Sequence, residues 1–545
     1  MKVNQAIAEI MKREGVEILF CYPRNEIIEA AAAVGIRPIL TRQERTAIHM
    51  ADAMSRLTRG KKLGVFCMQN GPGAENAYGG VAQAYSESVP ILVLPRGFNR
   101  RLAHVPRNFN STIVMAHVSK HAEPLTAPAE VVPVMRRAFT QLRNGRGAPV
   151  VVELPGDVIA EEIPGTAALD YTPVVVTRYG PDAESVRAAA KALVEAKRLV
   201  IYAGQGVHWA DAYDELRELA ELLAAPVLTS LPGKSTFDET HPLSLGSGGV
   251  SMRQSLWDML QKSDTIFGIG CSFSATPFGV QMPRGKTVVH GTIDPADLNK
   301  NVEAKHALIG DAKLILQAVL AECRKTVKQN RDAGAVTAEI KSIEAGWMRK
   351  WQPKLDSNET PLSPYRVIRD LYATVDHDRT IVTHDSGSPR DQLTPFWRST
   401  QPLSYLGWGK STQLGYGFGL ILGAKLACPD KLCINVWGDA AIGFTGMDFE
   451  TAVRAKIPVL SILLNNFAMA VEFDSLPVSR EKYRSTDISG NYAAFAKALG
   501  GYGERIEKPD DIVPAIKRGI AATEAGQPAL LEFITAQETA KSTFS

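Results

Sequence analysis

A chain of 545 residues is too long for one hydrophobic core, so two to four domains are expected. Its composition, 45% hydrophobic and 22% charged, is typical of a globular α/β enzyme, and a net charge of only +3 argues against a nucleic-acid-binding protein. No apolar run reaches the about 18 residues of a membrane span, and six scattered cysteines exclude a disulfide framework. We therefore expect a cytoplasmic enzyme with no membrane or nucleic-acid partner.

Strand-like apolar runs alternate with helical stretches through the first third of the chain. The N-terminal segment is predicted as an amphipathic helix rather than a signal peptide. The strand candidates after it are VEILFCY, RPILT, LGVFCM, ILVLP and PVVVEL. Such alternation is typical of a parallel sheet covered by helices, and it predicts a first α/β domain over residues 1–165.

The same rhythm continues to the C-terminus. Strand candidates in the middle third are RLVIYAG, PVLTSL, TIFGIG and KTVVHGTID, and those in the last third are TIVTHD, LCINVWGD, VLSILLNN and PALLEFIT. They predict a central domain over 180–330, a polar helical linker over 331–360 and a last domain over 361–545. The fold class expected is α/β, with three doubly wound parallel-sheet domains.

Polar residues end two successive strands of the last domain. Gly438-Asp439-Ala440 ends one strand, and Asn465-Asn466 ends the next. A right-handed crossover sets these ends side by side at the carboxyl edge of the sheet. One carboxylate with amide and carbonyl oxygens suits Mg²⁺ completed by phosphate oxygens and water. A helix cap and a turn explain each piece alone, but together they favour a metal site.

This strand–Gly-Asp–helix–strand–Asn-Asn pattern resembles the cofactor-binding motif of thiamine diphosphate enzymes. The resemblance implies that Asp439, Asn466 and the carbonyl of Ala468 hold Mg²⁺ on the diphosphate. Ala440 departs from the family, which usually has glycine there, and adds a methyl group near the diphosphate. The cofactor-binding residues implied in this segment are Gly438, Asp439, Ala440, Ala441, Asn466, Ala468 and Met469.

The first domain carries a second motif, RPILTRQERTAIHMADA followed by the turn NGPG. This stretch resembles acetolactate synthase-like members of the same family. The resemblance implies that Glu44 hydrogen-bonds N1′ of the aminopyrimidine ring and so activates the cofactor. From local sequence alone, a glutamate that opens a helix is a dipole partner. Other cofactor contacts implied in this domain are Pro23, Asn70, Gly73 and Asn76.

A glycine-rich helix start, TQLGYGFGLILGA, forms a third element. Its glycines allow close approach of neighbouring backbone. The resemblance places Leu414 under the cofactor, which it bends, with Gln413 beside it. It also places Gly387 and Ser388 of the segment HDSGSPRD at the diphosphate.

Departures from the family pattern fall on the substrate side. Acetolactate synthases have Gly-Gly where this chain has Arg24-Asn25, and Gln where it has Asn110. The resemblance therefore predicts that Arg24, Asn25 and Asn110 act as catalytic or specificity residues. Arg24 either forks onto a substrate carboxylate or points to solvent, and both interpretations stay open.

The function implied is thiamine diphosphate- and Mg²⁺-dependent formation or cleavage of a C–C bond in a 2-oxo acid or related carbonyl compound. Decarboxylation and carboligation both proceed through an enamine intermediate. The alternative is a 2-hydroxyacyl-CoA lyase or acyl-CoA decarboxylase, which the basic loop around Arg100 favours. An inactive cofactor-binding paralogue is a third possibility, which retention of Glu44, Asp439 and Asn466 disfavours.

Assembly and further cofactors complete the expectations. Relatives share each active site between subunits, which implies a homodimer or a dimer of dimers with Glu44 and Asp439 on different chains. FAD or ADP in the central domain is not favoured. Gly204 and Gly206 follow a strand there, but Trp209 occupies the position of the third glycine of a dinucleotide fingerprint.

Overall fold

A computed structural model describes residues 1–164 and 169–544. Within these residues the strands form three six-stranded sheets whose neighbours all pair in parallel. The prediction of three α/β units is confirmed. The predicted end of the first domain, residue 165, lies outside the described residues, and the domain boundaries stay predictions.

The strands are short and most are largely buried, as expected where helices cover both faces of a sheet. The first sheet contains β1 Ile18–Cys21, β2 Arg37–Leu40, β3 Gly64–Met68, β4 Ile91–Gly97, β5 His121–Pro124 and β6 Val150–Pro155. The second contains β7 Leu199–Ala203, β8 Val227–Ser230, β9 Ser244–Gly248, β10 Thr265–Ile269, β11 Thr287–Thr292 and β12 His306–Ile309. The third contains β13 Thr380–His384, β14 Tyr405–Leu406, β15 Leu432–Gly438, β16 Leu460–Asn465, β17 Tyr502–Ile506 and β18 Ala529–Ile534.

Helices connect the strands and cover the sheets. Around the first sheet lie α1 Val3–Arg13, α2 Ile27–Ala33, α3 Glu44–Leu57, α4 Pro72–Ser86, α5 Ser111–Met115 and α6 Val131–Arg143. The central unit and linker contain α7 Ala183–Glu195, α8 Gly206–Ala210, α9 Tyr213–Leu223, α10 Gln254–Lys262, α11 Ala312–Thr326 and α12 Gly334–Leu355. The last unit contains α13 Pro364–Thr374, α14 Ser388–Leu393, α15 Tyr416–Ala427, α16 Asp439–Thr445, α17 Phe449–Arg454, α18 Pro477–Tyr483, α19 Tyr492–Ala498 and α20 Ile512–Glu524. None of the helices in the described ranges is long and apolar enough to cross a membrane.

The first and last units share one topology. Their sheet orders are β2-β1-β3-β4-β6-β5 and β14-β13-β15-β16-β18-β17, whereas the central sheet runs β12-β11-β10-β7-β8-β9. Helix α3 follows the second strand of its unit and α15 follows the second strand of its own. The two helices therefore occupy equivalent places in two similar units.

Helices α3 and α15 pack directly against each other. A Cβ added to Gly419 would lie 2.6 Å from Cβ of His49, and one added to Gly423 would lie 2.3 Å from the carbonyl oxygen of Met50. Only glycine permits this approach, which explains the glycine-rich sequence of α15. Apolar side chains of both units then form a single buried cluster. The helix starts that carry the predicted site are thereby fixed on a rigid interface.

Candidate functional site

Glu44 is the first residue of α3, and its side chain is 3% exposed. A Cβ on Gly73, at the start of α4, would lie 3.2 Å from Oε1 of Glu44, so glycine leaves room for the carboxyl group. Burial raises the pKa of Glu44, while its own backbone amide and the side chain of Asn76 act in the opposite direction. A carboxyl group with a raised pKa can hold or release a proton near neutral pH.

The other cofactor contacts predicted in the first unit differ in their exposure to solvent. Pro23 and Asn76 are exposed, and Asn70 is half-buried in the turn before α4. That turn is set by Gly71, whose φ of 62° is in the left-handed region. The structure thus places Asn70 and Gly73 on either side of the turn that opens α4.

Asp439 lies at the carboxyl end of β15, where its side chain is 4% exposed. Strand β16 pairs beside it, with Gly438 opposite Leu464. Oδ1 of Asp439 accepts a hydrogen bond from the amide of Ala440 at 2.9 Å, and Oδ2 accepts one from the amide of Ala468 at 3.2 Å. The Asn466 Oδ1 accepts from that same Ala468 amide at 3.0 Å. The structure therefore brings the three predicted metal ligands together.

The donor chemistry at Asp439 fits Mg²⁺. Burial raises the pKa of Asp439 to about 6, and neighbouring backbone amides act against this shift; no ion pair among the described residues includes Asp439. A buried carboxylate without a cationic partner is costly, and a bound cation removes that cost. The described residues contain no cluster of three His, Cys, Asp or Glu side chains that could hold a metal ion. A set of one carboxylate, one amide and one carbonyl suits a hard cation that also binds phosphate oxygens.

The loop after β13 and the start of α15 form the other side of this edge. Gly387 has a φ of 79° and directly precedes α14, whose first residue is the half-buried Ser388. Leu414 is half-buried and directly precedes Gly415, whose φ is 85°. The Gln413 side chain donates to the carbonyl oxygen of Gly79 in the first unit. Gln413 therefore joins two units, a role that the sequence prediction of a cofactor contact did not include.

Two of the predicted substrate-side residues, Asn25 and Asn110, form hydrogen bonds with backbone groups. Asn25 is 5% exposed; its Nδ2 donates to the carbonyl oxygens of Met68 and Leu94, both at 3.0 Å, and its Oδ1 accepts from the amide of Ile27. Its amide joins strand ends, and the prediction that Asn25 polarises the substrate pocket stays a prediction. Asn110 caps α5 by accepting from the amide of Ile113 at 2.9 Å. This cap fixes the orientation of the Asn110 amide, and its role towards a substrate stays a prediction.

Arg24 differs from its neighbour Asn25. Its side chain is exposed, and no ion pair within residues 1–164 or 169–544 includes it. Of the three substrate-side candidates it is the charged one, and its guanidinium is open to solvent. Sequence alone did not separate Arg24 from Asn25, because both replace the family's glycines.

The basic loop around Arg100 is neutralised. Arg100 pairs with Asp157 at 3.1 Å and also with Glu161, and Arg96 pairs with Glu26 at 3.0 Å. Arg96 and Arg100 are therefore not available to form an anion-binding rim. This removes the main sequence argument for a coenzyme A substrate.

The first and last units also meet near Glu44 within one chain. The amide of Arg42 donates to Oδ1 of Asp448 at 2.6 Å, and Nε2 of Gln43 donates to the carbonyl oxygen of Phe444 at 2.5 Å. No hydrogen bond or ion pair among the described residues joins Glu44 to Asp439. On the last unit, Phe444 and Met447 remain 47% and 46% exposed. The rim of the site is thus apolar and open in a single chain.

Away from these residues, a cavity of about 490 Å³ lies where the three units meet. Its wall contains Trp209 and six basic residues, Arg59, Lys61, Arg143, Arg146, Arg178 and Lys410. The nearby turn at Gly204 is structural, because a Cβ there would lie 2.3 Å from the carbonyl oxygen of Gly270. Sequence reasoning missed this cleft because its residues are far apart along the chain. The expectation of no FAD or ADP stays a prediction.

Comparisons with known proteins agree with this geometry. Residues 1–118 match the N-terminal TPP binding domain of thiamine pyrophosphate enzymes, residues 186–319 match their central domain, and residues 385–533 match their C-terminal TPP binding domain. The N-terminal match contains Glu44, and the C-terminal match contains Asp439 and Asn466.

Curated relatives extend the similarity over nearly the full length. The chain is 30% identical to a probable acetolactate synthase large subunit of Methanococcus aeolicus, over 98% of this chain and 92% of the relative. A protein of the same description from Methanocaldococcus jannaschii has the same identity and coverage. The acetolactate synthase isozyme 3 large subunit of Escherichia coli is 28% identical over 92% of this chain and 88% of its own. The chain therefore belongs to the thiamine pyrophosphate enzyme family, as an acetolactate synthase-like, thiamine diphosphate-dependent enzyme.

Proposed function

We propose that this enzyme uses thiamine diphosphate and Mg²⁺ to decarboxylate a 2-oxo acid and to join the remaining fragment to a second carbonyl compound. One observation carries the proposal. Two buried carboxyl groups each begin a helix in one of the two similar units: Glu44 begins α3 and Asp439 begins α16. Burial raises the pKa of both. One is placed to exchange a proton and the other to bind a cation, as the two ends of one cofactor require.

The residues present fit the cofactor. Gly73 leaves a space beside Oε1 of Glu44 that a methyl group would fill. Asp439 is a buried carboxylate for which Mg²⁺ would be the cationic partner. When bound, thiamine diphosphate supplies the nucleophilic carbon and the electron sink for C–C bond chemistry. Glu44 would hold a proton at Oε1 against the aminopyrimidine ring. Asp439, Asn466 and the Ala468 carbonyl would bind Mg²⁺, and the residues before α14 and α16 would face the diphosphate.

The substrate class follows from the available charge. Arg24 is an exposed guanidinium without an ion-pair partner in the described ranges, next to the predicted cofactor contact Pro23. A guanidinium binds a carboxylate through two parallel hydrogen bonds. We therefore assign Arg24 to the carboxylate of a 2-oxo acid.

Replacing Arg24 tests this assignment. Arg24→Ala is expected to lower kcat/KM for 2-oxo acids by at least about 10-fold, the loss of one charge-assisted contact. Reaction with a neutral aldehyde acceptor should keep its KM. Arg101→Ala removes an exposed arginine from a nearby loop and should leave both values unchanged. Equal losses for charged and neutral substrates would assign Arg24 a structural role.

A product screen tests the overall reaction. The protein with thiamine diphosphate and Mg²⁺ is offered 2-oxo acids, alone and in pairs, and acyl-CoA esters, with products identified by mass. We expect carbon dioxide together with a hydroxyketone or acetohydroxy acid from the 2-oxo acids. Turnover of acyl-CoA esters alone would contradict the proposal.

The proposal includes a dimer with shared sites. The exposed Phe444 and Met447 beside α16 offer an apolar surface that a second copy would cover. If Glu44 of one chain faces Asp439 of another, a mixed dimer of a Glu44→Gln chain and an Asp439→Asn chain contains one intact site. Refolding the two inactive variants together should then restore activity, whereas each alone stays inactive. Absence of recovery in a confirmed mixed dimer would place both residues in one chain.

A further inference from the structure

Asp385 is a buried carboxylate at the end of β13 to which neither the family resemblance nor the proposed reaction assigns a role. Its side chain is 0% exposed. Its backbone amide donates to the carbonyl oxygen of Val436 at 2.7 Å, two residues before Gly438 on β15. Asp385 is therefore anchored to the strand that ends at the predicted metal ligand Asp439.

The carboxylate of Asp385 accepts three backbone hydrogen bonds from two separate segments. Oδ1 accepts from the amide of Ser386 at 2.8 Å and from the amide of Gly415 at 3.0 Å. Oδ2 accepts from the amide of Gly417 at 3.0 Å. Both oxygens are thus used, and a neutral amide at this position cannot replace both acceptors.

These hydrogen bonds hold the loop after β13 close to the turn before α15. A Cβ on Gly417 would lie 2.3 Å from the carbonyl oxygen of His384, so the start of α15 touches the end of β13. On one side, Asp385 is followed by Gly387 and Ser388. On the other side, Gly415 is preceded by Leu414. The carboxylate therefore stands between the two segments predicted to contact opposite parts of the cofactor.

We propose that Asp385 is a positioning residue that joins the loop 385–388 and the turn 413–417 into one unit, so that Leu414 keeps a fixed place relative to the diphosphate loop. This inference rests on the proposed function. Burial raises the pKa of Asp385 to about 7, and the three amide donors act against this shift.

Asp385→Asn tests the proposal. The asparagine would set an NH₂ group against the amide of one glycine, so one backbone donor loses its partner. We expect the dissociation constant of thiamine diphosphate, measured by quenching of tryptophan fluorescence, to rise by at least about 10-fold. At saturating cofactor, kcat should fall while the KM of the substrate is unchanged, because the reacting ring is misplaced rather than the substrate site.

Asp311→Asn is the matched control. Asp311 is 7% exposed and its Oδ1 accepts from the amides of Lys313 and Leu314 at the start of α11, in the central unit. This variant should lose stability in thermal unfolding without a change in cofactor affinity. If Asp385→Asn changes cofactor affinity no more than Asp311→Asn does, the positioning role is wrong.

Two further measurements complete the test. Should Asp385→Asn fail to fold, Asp385→Glu keeps both acceptor oxygens on a longer side chain and should show a smaller shift in the same direction; parental cofactor affinity in that variant would overturn the inference. Binding of thiamine diphosphate to the parent protein distinguishes a failure of the proposed function from a failure of this inference. If the parent does not bind thiamine diphosphate, the proposed function fails, whereas a binding parent with an unaffected Asp385→Asn variant overturns this inference alone.

Discussion

Glu44→Gln is expected to lower kcat by at least about 100-fold at saturating thiamine diphosphate and Mg²⁺, the usual contribution of a positioned acid–base group. Glutamine has nearly the same shape as glutamate and fits the space that Gly73 leaves beside α4. It cannot exchange a proton with the aminopyrimidine ring. Cofactor binding, measured by fluorescence, should therefore weaken much less than kcat.

Two companion variants separate proton exchange from simple loss of charge. Glu75→Gln removes an exposed carboxylate from the first turn of α4 and should keep parental kcat. Glu44→Asp keeps the carboxyl group but shortens its reach, so it should retain part of the activity. Full activity of Glu44→Gln would show that the cofactor is activated by another group.

All the inner strands of the sheets could be predicted from the sequence, but only one of the six edge strands, β2. Every strand missed by sequence reasoning, namely β5, β9, β12, β14 and β17, lies at the edge of a sheet. Central strands are buried on both faces and have long apolar runs, whereas β5 reads HAEP and β9 reads SLGSG. An edge strand pairs on one side only, and so needs less apolar surface. Sequence periodicity therefore identifies the middle of such a sheet better than its borders.

The candidate site divides in a similar way. Asp439 and Asn466 could be predicted as neighbours because crossover geometry fixes the ends of adjacent parallel strands. The hydrogen bonds of Asn25 and Asn110 could not be predicted, because they connect these side chains to backbone groups that local sequence does not reveal. Asp385 was missed for the same reason. Its partners Gly415 and Gly417 lie about 30 residues away along the chain.

Asp439→Asn is the second change with a large expected effect. Removal of the carboxylate should weaken Mg²⁺-dependent binding of thiamine diphosphate by more than about 10-fold, since even outer partners of metal ligands cost that much when they are replaced. The measurement is a titration of thiamine diphosphate at several Mg²⁺ concentrations. Higher Mg²⁺ should recover part of the affinity if the remaining oxygens still bind the cation.

Asp439→Asn should not destabilise the cofactor-free protein, although it weakens cofactor binding. Burial raises the pKa of Asp439 from 3.8 to about 6, so the group is still mostly ionised at neutral pH and its buried charge costs the folded state stability. Asp439→Asn removes that buried charge, so the midpoint of thermal unfolding without cofactor should be equal to or higher than that of the parent. Asp370→Asn, which removes a buried carboxylate paired with Arg366 and Arg369, should instead lower the midpoint and leave cofactor binding unchanged. A protein that gains stability while losing its cofactor is the result expected of a metal ligand, because the backbone amides around Asp439 offset only part of the cost of its buried charge and a bound cation offsets the rest.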